Sequence, residues 1–285
     1  MRAALCRALN ALFCHAPLRW LLPAPASWDR LDPLAFLERR LEQGTAFLGE
    51  LGSPEDLAGA CVLDAGCGMG DRTVATVLDG AARAIGIDTD PEKLRWARRL
   101  ARHRDVPAEF LLGSIGSLPC RADAFDLVLL LDVIEHLDDP LGALTEVRRV
   151  LRPGGRILIT FPPYNSPWGA HLTEHIRLPW AHLLCPEAIL VDLWRNIHLR
   201  KVARGEVRTG ARRARCIMEA ESITDLWSLN RMTIQRFLAL LSKASLEVAS
   251  IRLHTPAALA APFTHFPAIR EYVVTRVSAT VVSPC

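Results

Sequence analysis

Apolar residues along this chain gather in short runs of strand type, separated by stretches with helical spacing. The runs are Cys61–Ala65, Ala84–Asp88, Glu109–Leu112, Phe125–Leu131 and Arg156–Phe161. Near-continuous apolar runs that alternate with helical segments predict a mostly parallel sheet with helices on both faces. Asp32-Pro33, Asp90-Pro91 and Asp139-Pro140 each pair an N-capping carboxylate with a residue preorganised for the first helical position, so each predicts a helix start. Arg152-Pro153-Gly154-Gly155 is a breaker cluster that ends the third of these helices. The rhythm is lost from about Pro162 to Asn230, a stretch too long for a simple connection, which predicts an insertion with its own structure. Order returns where Ile234, Phe237, Leu238 and Leu241 fall at helical spacing, and Leu246–Leu253 and Glu271–Val282 read as two last strands, the sixth and seventh.

The first run hands over to the stretch most informative about chemistry. Asp64 ends it, and Gly66, Gly68 and Gly70 follow at the entry to a helix. Glycines at such a turn let the backbone approach a ligand in conformations that a Cβ forbids. The dinucleotide fingerprint, Gly-x-Gly-x-x-Gly/Ala, wants a small residue where Asp71 stands here. Carboxylates at Asp64 and Asp71 suit a cation better than a pyrophosphate. Asp88 closes the second run, 18 residues beyond Gly70, near the interval at which a carboxylate reaches a ribose.

This stretch resembles motif I of the class I S-adenosylmethionine (SAM) methyltransferases, in the small-molecule branch that includes ubiquinone and menaquinone enzymes. Leu112-Gly113-Ser114-Ile115 and Phe125-Asp126-Leu127-Val128 resemble two further motifs of that branch. The resemblance spans about 45–161 and 231–285. It implies SAM as cofactor and a Rossmann-like seven-stranded sheet ending in an antiparallel hairpin. The expected organisation is an N-terminal lid or membrane-surface helices at 1–44, the SAM-binding core at 45–161, an inserted substrate cap at 162–230 and completion of the core at 231–285. Cofactor contacts are expected from Asp64, Gly66, Gly68, Gly70, Asp88, Ser114, Ile115 and Asp132, the last near the methionine end. Ser114 departs from the family's usual Asp, and a serine oxygen accepts the adenine amino hydrogen bond without the charge-assisted increment.

The fourth run ends in Asp132-Val133-Ile134-Glu135-His136, at the sheet edge where open α/β folds bind ligands. Methyl transfer gains from positioning and from exclusion of water, and a hydroxyl, phenol or carbon acceptor gains further from a base. His136 is the leading candidate, with Glu135 as orienting carboxylate or helix cap, against simple packing at the junction. His171, His175 and His182 form a second group, in which His171 and His175 are further catalytic candidates against contact with the substrate and ordinary packing; were 168–175 helical, His171 and His175 would share a face. Two histidines are a weak metal signal, and no metal is expected. Phe161-Pro162-Pro163-Tyr164 resembles the Asp/Asn-Pro-Pro-Tyr box of enzymes that methylate nucleic-acid amino groups. Phe at the first position cannot accept the amino hydrogen bond, and the box follows the fifth run instead of the fourth. Tyr164 and Trp168 are expected to be apolar walls for a small-molecule acceptor.

Composition changes this picture little. A net charge of +3 on 285 residues does not mark a nucleic-acid protein. Arg195 to Arg215 is dense in arginine, yet it lacks interleaved aromatics for base stacking, so no nucleic-acid partner is expected. A lipid surface, a phosphate-bearing substrate and a merely solvated face are the other readings of that segment. The eight cysteines show no Cys-x-x-Cys pair and read as reduced thiols of a cytoplasmic protein. No apolar window of about eighteen residues exists for a membrane span. Residues 1–28, rich in Leu, Ala and Trp, are read as an amphipathic helix that covers the site or touches a membrane, or as one merely packed on the domain. A signal peptide shares the basic-then-apolar order of this segment. The expected activity is methyl transfer to a small lipophilic acceptor, with oxygen favoured over carbon. The alternatives are RNA or protein methylation and a non-catalytic SAM-binding module recruited to membranes. Oligomeric state is not legible.

Overall fold

The computed structural model describes residues 2–15, 34–42, 57–207, 209–256 and 258–284. The chain divides into two compact units. A core unit comprises residues 32–161, 234–254 and 276–285, and a second unit, called the cap unit after the expectation for 162–230, comprises 1–31, 162–233 and 255–275.

The core unit is built on one seven-stranded sheet. Helix α1 (Arg2–His15) precedes it in sequence, in the cap unit. Helix α2, residues 34–42, opens the core unit; Asp32-Pro33, read as its start, lies outside the described residues. Then follow β1 (Cys61–Ala65), α3 (Asp71–Leu78), β2 (Arg83–Asp88), α4 (Pro91–His103), β3 (Glu109–Leu112), β4 (Phe125–Leu131), α5 (Pro140–Val150) and β5 (Leu151–Phe161). The other two Asp-Pro pairs start helices as their chemistry predicts. Asp90 caps α4 by accepting from the Glu92 and Lys93 amides, and Asp139 caps α5 by accepting from the Gly142 amide. After the cap segment the core resumes with α10 (Ile234–Lys243), β6 (Glu247–His254) and β7 (Arg276–Val282); α6 (Ala181–Leu184), α7 (Glu187–Ala203), α8 (Ala211–Glu219), α9 (Ile223–Trp227) and α11 (Pro267–Val273) belong to the cap unit.

Spatial order in the sheet is β3-β2-β1-β4-β5-β7-β6. Strands β1 to β5 pair in parallel, and β7 runs antiparallel between β5 and β6. Strand order reverses between β1 and β4, where Leu63 lies opposite Val128 and Asp64 opposite Leu129. That reversal opens the crevice in which doubly wound sheets take their ligands, at the carboxyl ends of β1 and β4. Alternate strand residues such as Val62, Leu127 and Leu129 pack under α2, α3 and α4, around Leu37, Val74 and Leu94. Helix α10 meets α5, and Phe237 on α10 packs against Phe161 of β5 with ring centroids 4.9 Å apart.

Two elements differ from the sequence expectation. Strand β5 begins at Leu151, because Leu151 pairs with Phe125 ahead of a bulge at Arg152-Pro153-Gly154-Gly155. Residues Glu271 to Val273, read as the start of the last strand, belong to helix α11 (Pro267–Val273). Pro267 occupies its first turn and favours that outcome over an extended chain. Residues 255–275, assigned by pattern to the completed core, group with the cap unit.

Phe161 and Phe237 are both fully buried. Phe237→Ala is expected to lower unfolding free energy by about 3–5 kcal/mol, measured by urea denaturation followed by circular dichroism.

Candidate cofactor and active site

The glycine loop is held from below by β2. The Gly66 and Cys67 amides both donate to the Ile87 carbonyl, at 2.8 and 3.0 Å, and the Gly68 amide donates to Asp88 Oδ2 at 2.9 Å. The other oxygen of Asp88 accepts from the Asp90 amide at 2.8 Å. Gly66 and Gly70 have positive φ and no room for a side chain. A Cβ on Gly66 would stand 2.6 Å from Val133, and one on Gly70 would stand 2.6 Å from Ala97 and 2.7 Å from Phe110. Gly68 differs, since a Cβ there would meet nothing within 4 Å. The loop is thus packed at both ends and open at its middle, a cradle next to a carboxylate with acceptor capacity left over.

The acids near the loop carry less free charge than the sequence suggests. Asp71 is buried and paired with Arg40 of α2 at 2.9 Å, so its charge is matched inside the protein. Asp64 is buried and accepts from Thr73 Oγ1 at 2.6 Å. Burial raises its pKa to about 6, against the lowering effect of Thr73 and Arg72. Cys67 packs beneath the loop against Gly86, and burial pushes its thiol far up, which makes it unreactive. Ser114 is exposed, with its hydroxyl accepting from the Gly116 amide at 3.3 Å, and Ile115 is buried.

At the end of β4, Asp132 sits in the left-handed region with φ 58°. Its amide donates to the Thr160 carbonyl at 2.9 Å, and its two carboxylate oxygens accept from Thr160 Oγ1 at 3.0 Å and from the Arg72 guanidinium at 3.2 Å. Arg72 also donates to the Leu131 carbonyl. Arg72, Thr160 and Arg40 escaped the sequence reading, because each meets its partner across a long stretch of chain and carries no motif of its own. Four residues beyond Asp132, His136 is half-buried, and its Nε2 lies 3.9 Å from a carboxylate oxygen of buried Glu135. Burial, reinforced by Asp132, raises the Glu135 pKa well above its ordinary value.

Tyr164, Trp168, His171 and His175 belong to the cap unit. Tyr164 and Trp168 are half-buried. The Tyr164 ring meets His182 edge-on, with centroids 5.2 Å apart. His171 and His175 do not share a helical face, because His171 is left-handed (φ 54°) and only a short 3₁₀ turn, Leu172–Glu174, separates them. His171 meets the Trp227 ring edge-on. His175 is buried against Trp194 and is engaged at both ring nitrogens, by the Glu174 carbonyl at 2.8 Å and by His198 Nδ1 at 2.9 Å. His198 Nε2 in turn meets Thr209 Oγ1 at 2.8 Å. With His175 Nδ1 donating to the carbonyl, Thr209 donates to His198 and His198 to His175; with Nδ1 accepting from Lys201 Nζ, 3.2 Å away, the row runs the other way, and either order leaves each ring nitrogen bonded. Burial, with Lys201 and Arg213 nearby, lowers the His175 pKa to about 3. The structure therefore corrects the catalytic reading of His175, whose nitrogens are already bonded and whose basicity is low. Glu174 lies close enough to this pair to complete a metal-type trio, but a cation there would face the positive charges of Lys201 and Arg213.

Residues 63–159 match the family described as Methyltransferase domain. A Methylobacterium protein named ubiquinone biosynthesis O-methyltransferase is 30% identical over 137 residues, covering 45% of this chain and 55% of that protein. An uncharacterized 37.1 kDa protein in transposon Tn4556 of Streptomyces fradiae is 41% identical over 145 residues, covering 50% of this chain and 41% of its own length. The chain thus spans about half the length of these curated relatives. In fold it is similar to a SAM-dependent methyltransferase from Methanosarcina mazei, with a TM-score of 0.50 and 17% identity over 84% of this chain and 97% of that one. The sheet order, the glycine cradle and these relations mark residues 63–159 as a methyltransferase domain of the class I, SAM-dependent kind, with SAM as its cofactor. The open middle of the loop and the spare acceptor capacity of Asp88 fit a ligand that carries ribose hydroxyls.

The raised pKa of Asp64 has a consequence for stability. With an ordinary value of 3.8 when unfolded and about 6 when folded, this group binds more protons in the native state between those values. Its contribution to stability is therefore lost as pH rises from about 4 to about 6. Asp64→Asn keeps an acceptor for Thr73 and removes the titration. Denaturant titrations at a series of pH values are expected to show wild type losing up to about 3 kcal/mol relative to Asp64→Asn across that window.

Proposed function

We propose that this chain transfers a methyl group to an oxygen of a small, lipophilic acceptor, with His136 as the base. The observation that carries the reading is His136 itself, half-buried at the carboxyl end of β4 with the Glu135 carboxyl 3.9 Å from its Nε2. A hydroxyl acceptor must give up its proton as its oxygen attacks, and a histidine at this edge is suited to receive it. SAM, when bound, supplies a methyl group on a sulfonium that is already activated.

The chain's own residues would hold the cofactor as follows. The Gly66–Gly70 loop gives close backbone approach. Asp88, fixed by the Gly68 and Asp90 amides, accepts from the ribose hydroxyls. Ser114 and Ile115 flank the adenine. Asp132, fixed by Thr160 and Arg72, faces the methionine end, where its charge suits an ammonium. Asp64 supports the loop from within and adds negative potential once ionised. Tyr164 and Trp168 are the cap residues we assign to acceptor recognition. A relative named as an O-methyltransferase supports oxygen as the atom methylated, and the positive mean hydropathy of +0.17 accords with a lipophilic acceptor.

Asp88→Ala is expected to weaken SAM binding at least tenfold by titration calorimetry. His136→Ala is expected to leave that affinity within about twofold and to lower methyl incorporation into a lipid extract by about 10²-fold or more, followed with methyl-labelled SAM and mass spectrometry. Unchanged turnover in His136→Ala would overturn the base assignment, and a methyl found on carbon would overturn the choice of oxygen.

A further inference from the structure

Three neighbouring parts of the cap unit leave large apolar side chains in solvent. They are Leu5 on α1, Leu183 and Leu184 on α6 (Ala181–Leu184), and Phe263, Phe266, Ile269 and Tyr272 along 258–273. Leu184 is 64% exposed and Phe266 56%. Hydrogen bonds tie these parts together. Asn10 of α1 accepts from the Arg177 amide at 2.8 Å, and Trp180 at the head of α6 donates from Nε1 to the Tyr272 carbonyl at 2.9 Å, while Cys6 of α1 and Cys185 share one buried apolar cluster. Phe266, Ile269 and Tyr272 recur every third residue and so lie along one side of α11. An exposed apolar cluster of this extent is unusual on a protein without a partner for it.

Charge identifies the partner. Among the described side chains of α1, α6, 258–265 and α11 the cations are Arg7 and Arg270, and the one acid, Glu271, is buried. A surface that offers aliphatic and aromatic side chains with arginines and no exposed acid is complementary to anionic lipid headgroups. We propose that this face docks on an anionic lipid bilayer, its apolar side chains entering the headgroup boundary and its arginines meeting lipid phosphates. Long arginine stems let both contacts form together. The docking face thus includes α6 and α11, well beyond the N-terminal helix, and it does not depend on which acceptor is methylated.

Flotation of the full chain with vesicles tests this. Wild type is expected to float with phosphatidylcholine vesicles containing phosphatidylglycerol, to float less with phosphatidylcholine alone, and to be released by about 0.5 M salt. Ile269→Glu and Leu184→Glu are each expected to reduce flotation at least fivefold, while Leu78→Glu, at an exposed site on α3 in the core unit, leaves it unchanged. Thermal melts and SAM affinity equal to wild type establish that the variants are folded; Ile269→Ser and Leu184→Ser serve where Glu impairs folding. Wild type that stays with the unbound fraction, or variants that float like wild type, would overturn the proposal. So would a dimer in sedimentation velocity that these substitutions dissolve while no vesicle binding is seen, since the face would then join two copies of the chain.

Discussion

The functional reading depends on the grip of β2 on the glycine loop. Ile87 offers one carbonyl to two successive loop amides, and Asp88 offers its carboxylate to a third. Those bonds satisfy backbone groups that would otherwise need water, and they fix the loop in the left-handed conformations its glycines allow. They also aim Asp88, because a carboxylate held by the Gly68 and Asp90 amides has its remaining lone pairs directed by its neighbours. Packing at Gly66 and Gly70 closes the loop from two sides and leaves its middle open. The cofactor geometry therefore comes from sheet register: Asp64 lies opposite Gly86 and Ala65 opposite Ile87, and a slip by one residue would turn each of these groups to the other face.

The sheet was legible because its information is local. Apolar runs bounded by Asp-Pro and Pro-Gly-Gly carry their own start and stop signals, and Asp90 and Asp139 cap as their chemistry requires. The glycine loop and Asp88 were legible for the same reason. What was not legible depends on partners far along the chain. Asp71 looked like an acid offered to a cation, whereas Arg40, 31 residues earlier, takes up its charge. Asp132 was placed correctly at the β4 edge, yet nothing local announced that Arg72 and Thr160 would hold both of its oxygens. Helix α11 was misread because Val273 and Val274 continue into a β-branched run, so only Pro267 signalled the helix.

The cap shows how charge and histidine counts mislead when taken without partners. Arg195 and Arg213 stood out in a basic segment, but Arg195 donates to the Ile217 and Ala220 carbonyls, and Arg213 lies 3.9 Å over the Trp227 ring. Both serve as ties between helices α7 (Glu187–Ala203), α8 (Ala211–Glu219) and α9 (Ile223–Trp227). His175 and His198 likewise form a neutral bonded row beside Trp194, whose ring stacks on His198. Such a row is worth its burial only while every member is satisfied, so it specifies one arrangement of the cap. His136 stands instead at the edge of the sheet where ligands of this fold bind.

The cap unit is assembled from three separate stretches, 1–31, 162–233 and 255–275, with the core threaded between them. Within the cap unit, Asn10 of α1 bonds to Arg177, 167 residues further along the chain. During synthesis the core sheet also cannot close, since β7 inserts between β5 and β6 and comes last of all. Both units therefore close through contacts of long sequence separation, which folding reaches only after large loops have closed.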